Sequence, residues 1–390
     1  LAPEIETLGD IPEFDVAGAH ALYKKLLAPV APGWRGAETL LVVAHGPLGY
    51  LPFALLPTAQ SRLGPQREPL FVRYGGVPWL IREHAVAMLP SAHSLAALRN
   101  LPVRSGTQRQ FAGFGDPLFG GEDDARDGRG GGKQVAALNS RTVKTRGVKT
   151  RGVRKRKVKL RASPRTAGLA SAGLDILPRL PETAEEIRNI AITLRADLSR
   201  DVFIGRAATE GAVKATELSA YRVVAFATHG LIPGDLDGLS QPALALSSPK
   251  MVGDGEDGLL TMGEILGLKL NADWVVLSAC NTGSGEGAGA EAVSGLGRAF
   301  FYAGTRALLV SNWPVETTSA MRLTTDLFRR QFEDPTLARA KALREAILAL
   351  MDGPGFADPN TGKTVFSYAH PIFWAPFSLV GDGGARRSGV

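Results

Sequence analysis

The stretch ADWVVLSACNTGSG, residues 272–285, contains Cys280, the only cysteine among the 390 residues of the chain. An apolar run that is typical of a buried strand ends at this cysteine, and a glycine-rich segment follows it. A lone cysteine in such a position is either a small buried hydrophobic residue or a nucleophile. The stretch by itself favours the buried hydrophobic residue, so the decision depends on the rest of the sequence.

The composition is that of a globular protein, with 44% hydrophobic and 21% charged residues. Every apolar run is shorter than the roughly 18 residues that cross a membrane, so we expect no membrane span. The N-terminus LAPEIETLGDIPEFD has no basic start and no apolar core of signal-peptide length, which predicts a cytoplasmic protein. It does not begin with Met, which indicates a piece of a longer chain. A single cysteine forms no internal disulfide, in keeping with a reducing compartment.

The net charge of +7 is concentrated in one segment. Residues 128–174 contain 14 Lys and Arg and no Asp or Glu, so the remaining residues carry a net charge of −7. Because like charges repel and few large apolar side chains offset the entropy of ordering, we expect a basic, disordered insert at 121–176. The insert lacks the interleaved aromatic residues of a base-stacking surface. We therefore expect nucleic acid to bind there only non-specifically.

Apolar runs alternate with helical patterns in the C-terminal half of the chain. The runs are YRVVAFATHG (221–230), PALALSS (242–248), ADWVVLSAC (272–280), TRALLVSNW (305–313) and FWAPFSLVG (373–381), and the helical patterns cover 289–303, 316–332 and 336–352. This alternation predicts an α/β fold with a mostly parallel sheet and helices on both faces. Ligands of such sheets bind at the carboxyl ends of the strands.

Two local patterns give further structural predictions. TLLVVAHG (39–46) followed by PLGYLPFALLP predicts a β-hairpin at the start of the fold. LPETAEEIRNIAITLRADL (180–198) predicts a helix, in which Thr183 and Glu186 have the spacing of a capping box.

His229 in FATHG and Cys280 in LSACNTG each follow a predicted strand, and the two are 51 residues apart. If the strands are neighbours, the imidazole can take the thiol proton and later protonate a leaving amine. The backbone N–H groups of Gly230 and Cys280 can stabilise an oxyanion. The spacing is close to the roughly 50 residues between the histidine and cysteine of caspases. On this evidence alone, a nucleophile and a buried thiol remain equally acceptable interpretations.

A longer series of motifs resembles one family. FATHG, QPALALSS, DGLLTMGEI, ADWVVLSACNTG, GLGRAFFYAGTRALLVSNWPV and HPIFWAPFSLVG occur in the order that is found in the CHAT family. This family consists of caspase-like domains of the clan of caspases and separases, and in bacteria they often follow tetratricopeptide repeats. The resemblance covers about residues 36–382 and is strongest after 205.

The resemblance implies a caspase-like α/β fold and a cysteine-peptidase dyad that transfers to His229 and Cys280. It also implies a domain organisation, in which a smaller degenerate caspase-like subdomain at 1–105 precedes a peptidase domain at 106–385. His45 in VVAHG imitates the His-Gly motif, but that half of the chain has no cysteine to pair with it.

Three further residues are candidate substrate contacts. Ser311 and Trp313 in SNWPV follow the strand on which caspase-like peptidases pair extended substrate, although core packing is an alternative role for the tryptophan. Asp116 in GFGDP can line a pocket that selects Arg or Lys before the scissile bond, but Asp before Pro is also an ordinary turn.

The sequence offers no motif for a cofactor or metal. The glycine-rich segment GSGEGAGAEA (283–292) lacks the Lys and Ser or Thr of a phosphate loop, and there is neither HExxH nor a calcium-loop pattern. We expect no cofactor and no metal.

The sequence therefore predicts a cysteine endopeptidase that cleaves protein substrates through Cys280 and His229, in a bacterial signalling or defence pathway. A tetratricopeptide-repeat region, on the same chain or on a partner, is the expected regulator. The alternative is a catalytically silent scaffold or signalling module that binds a protein partner.

Overall fold

The computed structural model describes residues 5–101, 108–120, 156–158, 160, 173–278 and 288–385. For 288–294 it describes the backbone alone. All statements below refer to these residues.

The α-helices are α1 (Val16–Leu26), α2 (Leu80–Glu83), α3 (Ala92–Arg99), α4 (Glu182–Thr193), α5 (Glu210–Ala215), α6 (Pro249–Val252), α7 (Met262–Gly267), α8 (Ala288–Ala303), α9 (Thr317–Glu333), α10 (Arg339–Asp352) and α11 (Pro371–Trp374). Within the described parts of the chain, no helix is both long and apolar enough to span a membrane.

The strands are β1 (Thr39–Val43), β2 (Ala85–Leu89), β3 (Arg109–Gly115), β4 (Val202–Ile204), β5 (Tyr221–Ala227), β6 (Gly230–Leu231), β7 (Ala243–Ala245), β8 (Leu259–Thr261), β9 (Trp274–Leu277), β10 (Ala307–Ser311), β11 (Phe356–Ala357), β12 (Thr364–Phe366) and β13 (Phe377–Gly381).

Eight strands form the central sheet in the order β1-β2-β13-β10-β9-β5-β3-β4. All neighbours are parallel except β10 and β13, which are antiparallel. The predicted α/β fold with a mostly parallel sheet is confirmed. Strands β5, β9 and β10 end at the same edge, and this edge carries the candidate site.

Helices cover both faces of the sheet because side chains alternate along each strand. On one face, Ala225 of β5 belongs to the same apolar cluster as Ile187 of α4. On the other face, the ring of Phe226 lies 5.7 Å from that of Phe300 in α8. The inner strands β3, β5, β9 and β10 are buried on both sides, which explains why they are continuous apolar runs rather than alternating ones.

Helix α4 approaches β3 very closely. A Cβ atom at Gly113 would lie 2.7 Å from Ile187 Cγ2, and one at Gly115 would lie 2.9 Å from Ile187 Cγ1. Side chains at these two positions would push α4 away from the sheet. The GFG sequence of β3 therefore sets the position of α4 relative to the site.

The N-terminal strands continue the same sheet, because β2 pairs with β13 through Met88 and Val380. Leu40 of β1 and Trp79 belong to the same buried cluster as Leu323 of α9. The part predicted as a subdomain at 1–105 thus shares its sheet and one core with the part at 106–385. The boundary itself remains a prediction.

The hairpin predicted after residue 39 is wrong. Strand β1 pairs in parallel with β2, and the residues between them form 3₁₀ turns at Gly46–Tyr50 and Phe53–Leu55. Pro47 and Pro52 lack the N–H groups that a second hairpin strand would need. The run PALALSS is also outside the main sheet, since β7 lies in an antiparallel three-stranded sheet with β6 and β8.

The predicted capping box at the start of α4 is also wrong. Pro181 is the N-cap residue and makes no side-chain cap. Thr183 and Glu186 are both buried, and Thr183 Oγ1 donates to the backbone oxygen of Leu180 at 2.7 Å. Both polar side chains face the protein interior rather than the helix terminus.

Part of the predicted disordered insert at 121–176 is ordered. Val158 N donates to Glu6 O at 2.8 Å, and Arg156 forms an ion pair of 2.8 Å with Asp358 while its guanidinium lies 4.8 Å from the ring centroid of Phe356. Residues Leu174–Ile176 form a 3₁₀ turn. The prediction is wrong for 156–158 and for this turn. Most of the insert, including 121–155, lies outside the described residues.

A buried arginine ties α10 to the sheet. Arg339 is 2% exposed, and its Nη2 lies 3.2 Å from Asp273 Oδ1 just before β9. Its Nη1 donates to Gly384 O at 3.0 Å, beyond the end of β13. One side chain therefore connects a helix with two strands of the sheet.

Candidate active site

The register of β5 and β9 matches the spacing of the predicted dyad. The paired residues are Val223 with Trp274, Val224 with Val275, Ala225 with Val276 and Phe226 with Leu277. Each pair is 51 residues apart, as are His229 and Cys280. Cys280 itself lies outside the described residues, which stop at Ser278 and resume at Ala288.

His229 lies two residues beyond the end of β5 and is fully buried. Its Nε2 is 2.6 Å from the backbone oxygen of Pro178, and its ring is 5.5 Å from that of Phe119. The backbone oxygen of His229 accepts a hydrogen bond of 2.9 Å from Ala245 N. Both the backbone and the imidazole of this residue are therefore fixed.

The hydrogen bond to Pro178 determines the tautomer of His229. A carbonyl oxygen only accepts, so Nε2 carries the proton and Nδ1 carries the lone pair. Nδ1 is buried and has no hydrogen-bond partner among the described residues. A buried nitrogen without a hydrogen-bond partner destabilises a fold by about 1–3 kcal/mol. A hydrogen-bond donor next to Nδ1 would remove this cost.

Burial lowers the pKa of His229 to about 4, and the hydrogen bond to Pro178 opposes this shift only in part. The imidazole is therefore neutral near pH 7, because the apolar surroundings disfavour its cation. A neutral imidazole with an unshared lone pair is the form that accepts a proton.

Ser278 is the last described residue before Cys280, and it is 2% exposed. Its backbone N donates to Phe226 O at 3.0 Å, which continues the ladder between β5 and β9. Its Oγ lies 3.2 Å and 3.3 Å from the two carboxylate oxygens of Glu186. The chain is thus held by both backbone and side chain two residues before the cysteine.

Gly230, the second predicted oxyanion residue, begins β6 and pairs with Leu244 of β7. It directly follows the fixed backbone of His229. Its role as an oxyanion donor remains a prediction, as does that of the Cys280 N–H.

Asp116 lies at the end of β3 and is buried. Its two carboxylate oxygens each accept a hydrogen bond of 2.9 Å from Arg179, and its backbone N donates to Thr183 Oγ1 at 2.8 Å. A substrate Arg or Lys at this carboxylate would compete with an arginine of the chain itself. The predicted selection of Arg or Lys is not tested by these contacts.

Ser311 and Trp313 line a cavity of about 570 Å³. The other walls come from α8, β13, the end of β2 and the segment at 44–51, and His229 is not part of the lining. Ser311 is 2% exposed, and Trp313 also packs against the main apolar cluster. Their predicted contacts with substrate remain a prediction.

Three carboxylates, Glu210, Glu256 and Glu264, lie close enough together to be candidate metal ligands. Lys214 Nζ occupies the centre of this cluster, at 2.7 Å, 2.8 Å and 2.8 Å from their oxygens. The ammonium group supplies the positive charge that a cation would otherwise bring.

Two residues that contact the candidate site were missed by the sequence analysis as functional groups. Pro178 acts through its backbone oxygen, which no sequence pattern reveals. Glu186 was interpreted as a capping residue. The signal that could have identified it is its spacing of four residues from Ile190, which places it on the apolar side of the helix.

The fold and the site together define an α/β protein with a buried histidine just after β5, beside β9, the strand that precedes Cys280 in the sequence. The sequence model of the CHAT domain matches residues 16–382, and the chain belongs to this family, which is related to the caspase-like cysteine peptidases. The predicted membership is confirmed.

None of the curated proteins matches the chain. Among the solved structures, one match is the Arg-specific cysteine proteinase gingipain R, with 13% sequence identity and a TM-score of 0.32. This match covers 52% of the present chain and 42% of the gingipain chain.

Proposed function

We propose that the chain is a cysteine endopeptidase in which Cys280 is the nucleophile and His229 is the general base. The observation that carries the proposal is the common offset of 51 residues between β5 and β9. The same offset separates His229 from Cys280, so the proposal has the two residues just beyond the ends of neighbouring strands.

The alternation of side chains supports the same pairing. In β5, Val223 and Ala225 belong to the cluster on the α4 face, and in β9 Trp274 and Val276 belong to the same cluster. Residues at even steps from these share that face. Both His229 and Cys280 lie at even steps from these residues in the sequence, as a shared site requires.

The proposed reaction uses the lone pair on His229 Nδ1. This nitrogen takes the proton of the Cys280 thiol while the sulfur attacks the carbonyl carbon of a peptide bond. The N–H groups of Gly230 and Cys280 stabilise the negative oxygen that forms. The imidazolium then protonates the amine that leaves, and water hydrolyses the thioester with His229 again acting as base.

Pro178 completes this arrangement because its oxygen accepts the Nε2 proton of His229. The hydrogen bond keeps Nδ1 as the basic nitrogen, and it stabilises the imidazolium that forms during the reaction. A backbone oxygen thus does what a third side chain does in other triads. No substitution at Pro178 removes this oxygen, so the dyad residues are the ones to test.

The decisive experiment compares the new N-termini that wild type and Cys280→Ala generate in a proteome. We expect a set of cleavages that depends on Cys280 and is absent with His229→Ala. His20→Ala is a matched control, since His20 Nδ1 lies 2.9 Å from Pro57 O at a position that has no cysteine partner. Cleavage that persists in a clean preparation of Cys280→Ala would contradict the proposal.

One observation favours the second function, a silent scaffold that binds a protein partner. His229 is fully buried, so in this arrangement no substrate surface reaches its ring directly. A scaffold would keep its partner in Cys280→Ala with unchanged affinity and would show no Cys280-dependent cleavage. The proposal of an endopeptidase includes three further expectations. They are a bacterial signalling or defence pathway, a cytoplasmic location and a tetratricopeptide-repeat regulator.

A further inference from the structure

A buried carboxylate lies beside the strand that leads to Cys280. Glu186 of α4 is 1% exposed, and both its oxygens lie within 3.3 Å of Ser278 Oγ. Oε1 is also 3.4 Å from Thr324 Oγ1 of α9. An apolar side chain at this position would pack without the cost of burying a carboxylate. The acid therefore calls for an explanation other than core packing.

Ser278 is the last point at which the described chain is anchored before the cysteine. Its backbone belongs to the ladder with β5, and its hydroxyl is bound to Glu186. Cys280 is only two residues further along the chain, so a displacement of Ser278 would also displace the nucleophile.

The same part of the chain also holds His229. Pro178 O binds the imidazole, and Glu186 is eight residues later, in the second turn of α4. Helix α4 is itself fixed by its close approach to Gly113 and Gly115. One rigid unit, residues 178–186, therefore contacts both strand ends of the proposed dyad.

We propose that Glu186 is a positioning residue for the nucleophile: through Ser278 Oγ it fixes the end of β9, and thereby sets Cys280 relative to His229. This inference rests on the proposed function. In this role Glu186 supplies an acceptor oxygen at a fixed place on α4.

The test compares Ser278→Ala, which removes the donor with little change in volume, with Glu186→Leu, which removes the acceptor. Each should lower kcat by about 10- to 100-fold with little change in KM, because small misplacements of reacting groups have effects of this size. Glu186→Gln retains an acceptor oxygen and should stay within about 3-fold of wild type. Because Ser278 and Glu186 share a contact, the loss of kcat in the double variant should be smaller than the product of the two single losses.

Thr305→Val is the control for a general loss of packing. Thr305 is fully buried and donates to Ala307 O at 3.1 Å, at the amino end of β10 and the opposite edge of the sheet. We expect it to lower the melting temperature as Ser278→Ala does while leaving kcat unchanged. The proposal is overturned if Ser278→Ala keeps kcat within about 3-fold of wild type, or if Thr305→Val loses as much.

Alkylation of Cys280 separates this inference from the proposed function. It needs no substrate, and the chain has only one cysteine to label. Native wild type should react with iodoacetamide faster than the unfolded chain, and Ser278→Ala should lose most of that difference. If wild type shows the enhancement and Ser278→Ala keeps it, the positioning role is wrong although the dyad stands. If wild type shows no enhancement and no turnover, the dyad itself fails.

Discussion

His229 Nε2 lies 2.6 Å from the backbone oxygen of Pro178, and this contact decides which nitrogen of the imidazole is basic. Because the oxygen only accepts, the proton stays on Nε2 and the lone pair on Nδ1. Nδ1 is also the buried nitrogen without a partner among the described residues. The contact thus prepares one specific atom to receive a proton, and the following predictions depend on this atom and on the packing around it.

The acid limb of the pH profile of kcat/KM should lie well below pH 6.5. Burial lowers the pKa of His229 to about 4, so the neutral imidazole persists far into the acid range. The acid limb of kcat/KM reports an ionisation of the free enzyme, in which the thiol and the imidazole titrate as a pair. Initial rates measured between pH 3.5 and 8 would test this, and a limb centred at 6.5 or higher would contradict it.

Cys280 should react with iodoacetamide faster in the native protein than in the unfolded chain near neutral pH. The reason is that Nδ1 of His229 accepts the thiol proton as the sulfur attacks. His229→Ala should remove the difference, and His20→Ala should retain it. Mass spectrometry of the single labelled cysteine measures the rates, and an unchanged rate in His229→Ala would count against the pairing.

Stability should fall as the pH drops from about 6.5 towards 4. Burial lowers the folded-state pKa of both His229 and His370 to about 4, whereas an unfolded histidine titrates near 6.5. Below pH 6.5 these histidines bind protons in the unfolded chain but not in the folded one. The free energy of unfolding therefore falls, by about 2 kcal/mol per histidine at pH 5. Above 6.5 neither state is protonated and this loss is absent.

His370→Asn tests the second of these two residues. His370 Nδ1 accepts a hydrogen bond of 3.1 Å from Ile372 N, and Asn can replace it as acceptor without titrating. We expect the loss of stability between pH 7.5 and 5, measured by urea unfolding, to be about 2 kcal/mol smaller than in wild type. Parallel curves for the two proteins would show that His370 is not buried in its neutral form.

Arg339→Ala should destabilise the fold by about 3 kcal/mol or more, since it removes a buried guanidinium that pairs with Asp273 and Asp382 and donates to Gly384 O. Arg329 is the control: it also pairs with two acids, but its side chain is 45% exposed. Arg329→Ala should cost less than about 1 kcal/mol. Equal losses in urea unfolding would mean that Arg339 does not connect α10 to the sheet.

Replacement of 121–154 by a short Gly-Ser linker should leave the melting temperature and peptide hydrolysis unchanged, since closure entropy depends only weakly on loop length. The ordered residues that follow should behave differently. Arg156→Ala removes the contacts with Asp358 and Phe356 and should cost about 1 kcal/mol. A large loss of stability on replacement of 121–154 would show that this segment packs against the core.

The sequence by itself determined the class of the fold and predicted two candidate reactive residues. Apolar strands that alternate with amphipathic helices predict a sheet covered on both faces, because each helix buries its apolar side against the sheet. The resemblance of ordered motifs then pointed to His229 and Cys280. The spacing of 51 residues was visible in the sequence, but only the register of β5 with β9 shows that the same offset relates paired residues of two neighbouring strands.

The tertiary structure alone decided what surrounds these residues. Glu186 has the spacing of a capping residue, but α4 packs against β3 at Gly113 and Gly115, and the Glu186 side chain is buried beside Ser278. Pro178 contributes only its backbone oxygen, which every residue type possesses, so no sequence pattern could have singled it out. The direction of a side chain and the position of a backbone atom depend on contacts between distant segments, and local sequence does not encode these contacts.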